Sequence, residues 1–439
     1  MVQLERFASA QILPLLFAAL AAFPCSAPAQ KAIPTPMEWG RSQRSGAVIR
    51  LAESAIRRYF PLAQALEDRA LESSGTLAKN LIVVTADGLR WQEVFEGIPV
   101  SSPLCKPEDG RDAGQALPRE TLMPFFWNTL ARHGQVYGNR RYGSEVSVAN
   151  RMRISYPGYS EIICGFPDDK RIILNSKKQN PNRHVFEWLN KQRGYRGRVA
   201  AFGSWELFSW IFNEERAEIP VNAGFEKIRT RGGLSAGQYR LNALLDSSPR
   251  PWHDHVRPDT LTWAFAKEYL ERRRPRVLFV GFGETDEYAH EGNAAGYVQA
   301  IARFDSLLAE IWRFIESHEH YRGKTALLIT TDHGRGRHNW RMHHPLAPGS
   351  EETWFAVASP DLEARGEVRE SGQIRHEQFA RTMLRLIGQH HEASDARMAP
   401  EPEVVFEKEN TLFAAPRMDG GSFPAPEVPV TPGGRGPER

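Results

Sequence analysis

Three short apolar runs constrain this chain more than any other feature: "NLIVVTADG" (80–88), "RVLFVGFGETD" (276–286) and "TALLITTDHG" (325–334). Each has the length of a strand and none alternates apolar with polar residues, the pattern of strands buried on both faces of a parallel sheet. Between them, "TLMPFFWNTLARHG", "HVFEWLNKQRG" and "AGYVQAIARFDSLLAEIWRFIESH" repeat apolar residues at three and four, which predicts helices. Strands alternating with helices predict an α/β fold, a three-layer α/β/α core around a mostly parallel sheet. Ligands of such sheets collect beyond the carboxyl ends of the strands. All three runs end in an aspartate there: Asp87, Asp286 and Asp332.

The rest of the chain sets the boundaries. Arg6 precedes "ILPLLFAALAAF" and "PCSAPAQ", a charged start, an apolar stretch too short to span a bilayer, and small residues at Ala27 and Ala29. This predicts a secretory signal peptide over 1–29, export to the periplasm or medium, and no membrane span in the mature chain. Residues 30–78 read as a polar linker and a helical segment, and 79–395 as the catalytic domain. The Pro/Gly-rich 396–439 reads as a disordered tail. Cleavage would leave Cys105 and Cys164, which an oxidising compartment permits to pair. With 56 basic against 53 acidic residues, for a net +3, composition supports neither a nucleic-acid partner nor a polybasic membrane contact.

Singly, an aspartate after a strand is an ordinary turn or cap residue. Three such residues with histidines attached form a pattern. His290 follows Asp286 by four, which places both on one face of a helix, one turn apart. His333 follows Asp332 directly, and His338, His343 and His344 come soon after. Carboxylates mixed with imidazoles suit zinc. Two such ions carry four positive charges. Three aspartates and one serine alkoxide would balance them. Ser155, in "RISYPGYSEI", is a candidate nucleophile, and as a residue before a helical Pro it is equally a candidate N-cap.

In "LIVVTADGLRWQEVF", "SYPGYSEIICG", "GETDEYAH" and "TTDHGRG…W…H", in that order from about 79 to 360, the chain resembles the alkaline phosphatase superfamily. The likeness is to its phosphodiesterase/nucleotide-pyrophosphatase and phosphatase branches. The resemblance implies a hydrolase of small-molecule phosphoric esters with two Zn²⁺ per chain. Asp87, Ser155, Asp332 and His333 would hold one ion, and Asp286, His290 and His343 the other, with His338 and His344 as alternatives to His343. Ser155 would be phosphorylated and then hydrolysed. Asn175 would contact a phosphoryl oxygen, with Asn180 and Asn182 behind it. Tyr159 stands where formylglycine sulfatases carry an arginine, which argues against that branch. A sulfate or phosphonate ester hydrolase, or a binding protein that has lost catalysis, are the rival readings. Elsewhere, His253 and His255 read as a polar loop, and His318, His320, His390 and His391 as solvated helix ends. "GSWELFSWIF" reads as core, and Arg171, Lys177 and Lys178 as a solvated face.

Overall fold

The computed structural model describes residues 77–102, 104, 116–230, 232–389 and 395–407. The leader, nearly all of the predicted N-terminal helical segment, Cys105, His390 and His391 lie outside them. Eleven strands are present among these residues: β1 (Asn80–Ala86), β2 (Gln135–Tyr137), β3 (Ser144–Ser147), β4 (Val199–Gly203), β5 (Val221–Ala223), β6 (Val277–Phe282), β7 (Thr325–Thr330), β8 (Glu352–Thr353), β9 (Phe355–Ala358), β10 (Gly366–Glu367) and β11 (Gly372–Arg375). Eight form one sheet in the order β10-β2-β9-β7-β1-β6-β4-β5, and β11-β3-β8 form a second. The three runs that dominate the sequence lie together at the centre of the large sheet. There β1 pairs in parallel with both β6 and β7, Val83 facing Phe279 on one side and Leu328 on the other. Only β9 runs against its neighbours in this sheet.

The six helices that build the layers and the site are α1 (Ser155–Cys164), α2 (Val185–Lys191), α3 (Asp259–Arg273), α4 (Glu284–His290), α5 (Ala294–Ser317) and α6 (Phe379–Leu386). Successive side chains of β1 point to opposite faces. Ile82, Val84 and Ala86 join Phe265, Leu270, Tyr297, Ile301, Phe304 and Leu308 of α3 and α5. Leu81 and Val83 join Tyr159, Ile162, Val185, Phe186, Phe379 and Met383 of α1, α2 and α6. The core is therefore an α/β/α sandwich, and burial on both faces is the reason the strands read as continuous apolar runs. α5 starts where the Asn293 side chain accepts from Gly296 N at 2.9 Å, and its buried residues recur at three and four.

Several sequence expectations change. "TLMPFFWNTLARHG" is not one helix: Pro124 denies a backbone donor, and the segment breaks into Arg119–Leu122, a π-turn over Phe126–Leu130 and a last turn at Ala131–His133. The folded domain does not end at 395. Met398 and Val405 are buried in the second cluster, and Ala399 N donates to Gly165 O at 2.9 Å. Two or three apolar side chains with backbone partners suffice to dock the start of a Pro-rich segment. His318 and His320 are half-buried rather than solvated, and burial and nearby arginines lower His320 to about 4. His255 does sit in a loop, bonded to Glu206 at 2.7 Å. In the tryptophan-rich stretch Leu207, Phe208, Ile211 and Phe212 are core, with Trp205 and Trp210 partly buried against it. Cys164 is buried and forms no disulfide among the described residues. No helix among the described residues is long and apolar enough to cross a membrane.

α1 lies wholly buried, and Glu161 within it carries a carboxylate that accepts from Ala149 N and Asn150 N, each at 2.8 Å. Burial pushes it up to about 7, although those amides oppose the shift. A raised folded pKa means that the folded state holds the proton more tightly. This group's ionisation therefore costs stability as pH rises from about 4.5 to about 7, and the cost is constant above that range. The expected slope amounts to a few kcal/mol across that window. Comparing unfolding free energies of wild type and Glu161→Gln at pH 5 and pH 8 checks it, the variant losing that share of the pH dependence.

Candidate metal centre and nucleophile

The backbone brings the acidic strand ends together. Asp87 leaves β1 with its N–H still bonded to Phe282 O at 3.0 Å, and Gly88 follows with φ +60°. A Cβ on Gly88 would stand 2.7 Å from Asp286 Oδ1, so glycine lets the β1 and α4 ends meet. Gly88 N donates to Asp332 Oδ1 at 3.0 Å. Gly158 is the second necessary glycine: a Cβ there would lie 2.4 Å from Asp332 O, and its absence lets α1 press against the end of β7.

Two groups of side chains result. Asp87, Asp332 and His333 offer ligand atoms within 4.8 Å of one another, and so do Asp286, His290 and His343. His333 Nε2 is 3.4 Å from Asp87 Oδ1 and 3.3 Å from Asp332 Oδ2. His290 Nε2 is 3.1 Å from Asp286 Oδ2 and 2.9 Å from His343 Nε2. The groups touch through the stacked rings of His333 and His343, 3.8 Å between centroids. α4 places Asp286 and His290 one turn apart on one face.

The donor set fits metal ions on three observations. Asp87 Oδ1 and Asp332 Oδ2 are buried with no hydrogen-bond partner, a cost of about 1–3 kcal/mol each unless a cation satisfies them. His333 Nδ1 donates to Gly334 O at 2.9 Å and His343 Nδ1 to Arg153 O at 3.1 Å, so both rings turn an Nε2 lone pair inward. Burial, with Asp286 close to Asp87 and Asp87 close to Asp332, raises both of these aspartates well above the usual carboxylate range. Burial and His333 lower His343 well below the usual imidazole range. Each shift is what crowded ligands show when no cation offsets them.

Ser155 sits beside the Asp87, Asp332 and His333 group, 4 % exposed, with Oγ 3.3 Å from His333 Nε2. It is the first residue of α1 and not its cap. The capping position belongs to Ile154, whose extended backbone makes no side-chain bond. The cap is supplied from another loop, by Asn175 Oδ1 accepting from Tyr156 N at 2.9 Å. The serine hydroxyl is thus released from the role that its position suggested. Asn175 is exposed beside the nucleophile. Asn180 and Asn182 are buried and tied into the fold, to Ile211 O and to Asp168 respectively. His338 is exposed and His344 Nδ1 accepts from Leu346 N, so of the three candidates His343 is the one in the cluster.

Sequence reasoning missed three supports. Arg335, 1 % exposed, pairs with Asp286 and donates to Arg341 O at 2.7 Å, fixing both the ligand and the loop that carries His343. Although burial alone would raise Asp286, Arg335 and the two histidines hold it well below the usual range. The charge tally from sequence therefore lacked one positive charge. Its signal was present: Arg335 lies two residues past His333. Tyr159 donates to Asp87 Oδ2 at 3.1 Å, which gives the residue in the sulfatase arginine's place a ligand to orient. Asp259 of α3 caps α4 from outside, accepting from Gly283 N at 2.8 Å and Glu284 N at 3.2 Å while its own N–H donates to Glu284. Asp259→Ala is expected to weaken metal binding at Asp286, His290 and His343 by about 10-fold or more, in the range found for outer partners of ligands. Competition titration with a chelating dye measures it.

Residues 256–367 match the Metalloenzyme superfamily. GPI ethanolamine phosphate transferase 1 of Aspergillus fumigatus is 24 % identical over 307 residues, 64 % of this chain and 25 % of that protein. The Mus musculus protein of the same name is 22 % identical over 294 residues, 64 % of this chain and 26 % of its own. This chain spans about a quarter of the length of those relatives. A solved structure of an alkaline phosphatase superfamily protein from Vibrio parahaemolyticus covers 74 % of this chain and 70 % of its own, at 14 % identity and a TM-score of 0.45. The ligand boxes in their order along the chain, the two metal-fitting groups at the strand ends and the matched 256–367 segment together support the resemblance to the alkaline phosphatase superfamily of metalloenzymes.

Proposed function

We propose that this chain hydrolyses phosphoric esters through a phosphoserine at Ser155. The observation that carries the reading is the buried Ser155 hydroxyl, relieved of capping by Asn175 and set against His333, whose ring stacks on His343 of the second ligand group. Asp87, Asp332 and His333, with Ser155, would hold one zinc ion, and Asp286, His290 and His343 the other. Such ions supply Lewis-acid charge and lower the pKa of a nearby hydroxyl. Ser155 Oγ loses its proton to solvent and forms a bond to phosphorus as the ester O–P bond breaks, the departing alcohol taking up a proton. Water then attacks the phosphoserine and restores Ser155. The Ser155 N–H and the Asn175 amide N–H groups would face the phosphoryl oxygens, since the Tyr156 N–H is taken by Asn175 and the Gly158 N–H by Ile154. Arg335 is committed to Asp286 and to backbone carbonyls, and the side chain above Ser155 is an uncharged amide. That balance favours a singly charged diester over a doubly charged monoester. In this reading the leader-like residues 1–29 would direct the enzyme out of the cytoplasm.

A second reading is transfer of the phosphoryl group to an alcohol rather than to water, favoured by the name the curated relatives carry. The two part in one experiment. Turnover of an aryl phosphodiester with increasing ethanolamine or glycerol leaves the phosphorylated product free in the hydrolytic case. In the transfer case it is attached to the added alcohol in proportion to its concentration. Aryl sulfate turned over faster than any phosphate ester would instead support a sulfatase.

A further inference from the structure

We infer that the mouth of the Ser155 site takes its ester from an anionic lipid surface, the aliphatic part of the substrate lying on two loop tips. The inference rests on the function proposed above and names the chemistry of its substrate. One tip is Ile173–Leu174, 47 % and 64 % exposed; the other carries Met342 and Leu346, 43 % and 86 % exposed. Single exposed apolar residues are ordinary. Here four of the ten large exposed hydrophobic side chains among the described residues fall on these two loops.

Both loops are fastened within two residues of the nucleophile. Beyond the Asn175 cap, Tyr156 Oη donates to Lys178 O at 2.7 Å, which straps the first loop to the start of α1. His343 Nδ1 donates to Arg153 O, and Arg153 Nη1 donates to Pro345 O at 3.2 Å, which straps the second. Both loops that carry the aliphatic tips are therefore anchored at the start of α1, next to Ser155.

Charge identifies the occupant. Lys170 and Arg171 precede the first tip and Lys177 and Lys178 follow it, while Arg337 and Arg341 precede the second. Arg171, Lys177 and Arg337 have acidic partners in Asp168, Glu206 and Glu352. Lys170 and Lys178 form no ion pair among the described residues. Aliphatic tips framed by cations match the acyl boundary and anionic headgroups of a bilayer. The near-neutral composition hides this pattern, because it lies in two loops and not in the average.

Flotation of the full chain with vesicles of phosphatidylcholine, alone or with phosphatidylglycerol, tests the surface in wild type and in Leu174→Ser/Leu346→Ser. Thermal unfolding of the variant controls for folding. Wild type is expected to float with the anionic vesicles, and the variant's bound fraction to fall about 10-fold. In parallel, kcat/KM for p-nitrophenyl hexadecyl phosphate in those vesicles is compared with that for p-nitrophenyl ethyl phosphate in solution. The expected preference for the long chain is about 10-fold or more in wild type and moves toward parity in the variant. Turnover of the ethyl ester by a wild type that does not float, or floats no better than the variant, overturns the inference and leaves the proposed function standing. Flotation lost in the variant with no turnover of either ester leaves the surface standing and overturns the function.

Discussion

Ser155→Ala is expected to lower ester turnover by about 10³-fold or more, the scale on which loss of a covalent nucleophile acts, while the protein stays folded and keeps its metal-binding residues. The reason for expecting so clean a separation is structural. The hydroxyl supports nothing in α1: the cap comes from Asn175, and Ile154 makes no side-chain bond at the helix start. The alanine methyl replaces a hydroxyl that meets the His333 ring. Unfolding temperature should therefore move little as kcat collapses, while the ion at Asp87, Asp332 and His333 loses one ligand and should bind more weakly. Asn175→Ala should do the reverse in part, freeing the Tyr156 N–H and costing about 1 kcal/mol of stability, the usual value of a lost cap.

Removal of metal is the second large effect. Three aspartates, two of them with an unpartnered buried oxygen, crowd around His333, and Arg335 is the buried guanidinium paired with Asp286. Chelation is expected to abolish turnover and to lower the unfolding temperature by several degrees. An ion held at 100 times its Kd contributes about 2.7 kcal/mol by mass action. Restoring zinc should recover both. A chelated protein with unchanged stability and activity would mean that the two groups hold no ion in solution.

How much of this was legible beforehand depends on where the signal lay. The central strands were legible because both faces are buried, so Ile82 and Val83 both had to be apolar although they face opposite layers. Asp286 and His290 were legible because a helix turns spacing of four into a shared face. The apolar repeat runs straight through Pro124, so periodicity alone does not show the break there. The docked 395–407 segment carries a few buried side chains in a Pro-rich context, too few to change its average. The supporting roles of Arg335, Tyr159 and Asp259 do not follow from local sequence, because their partners lie 49, 72 and 24 or 25 positions away. Pairings of that kind are made by the fold.

The most direct test of the central claim is intact-mass and peptide analysis of enzyme quenched in acid during turnover of an aryl phosphodiester. The account predicts a phosphoryl adduct on the peptide carrying Ser155, formed within one turnover and absent from Ser155→Ala. Steady turnover with no adduct at Ser155, or an adduct on any other residue, would contradict it.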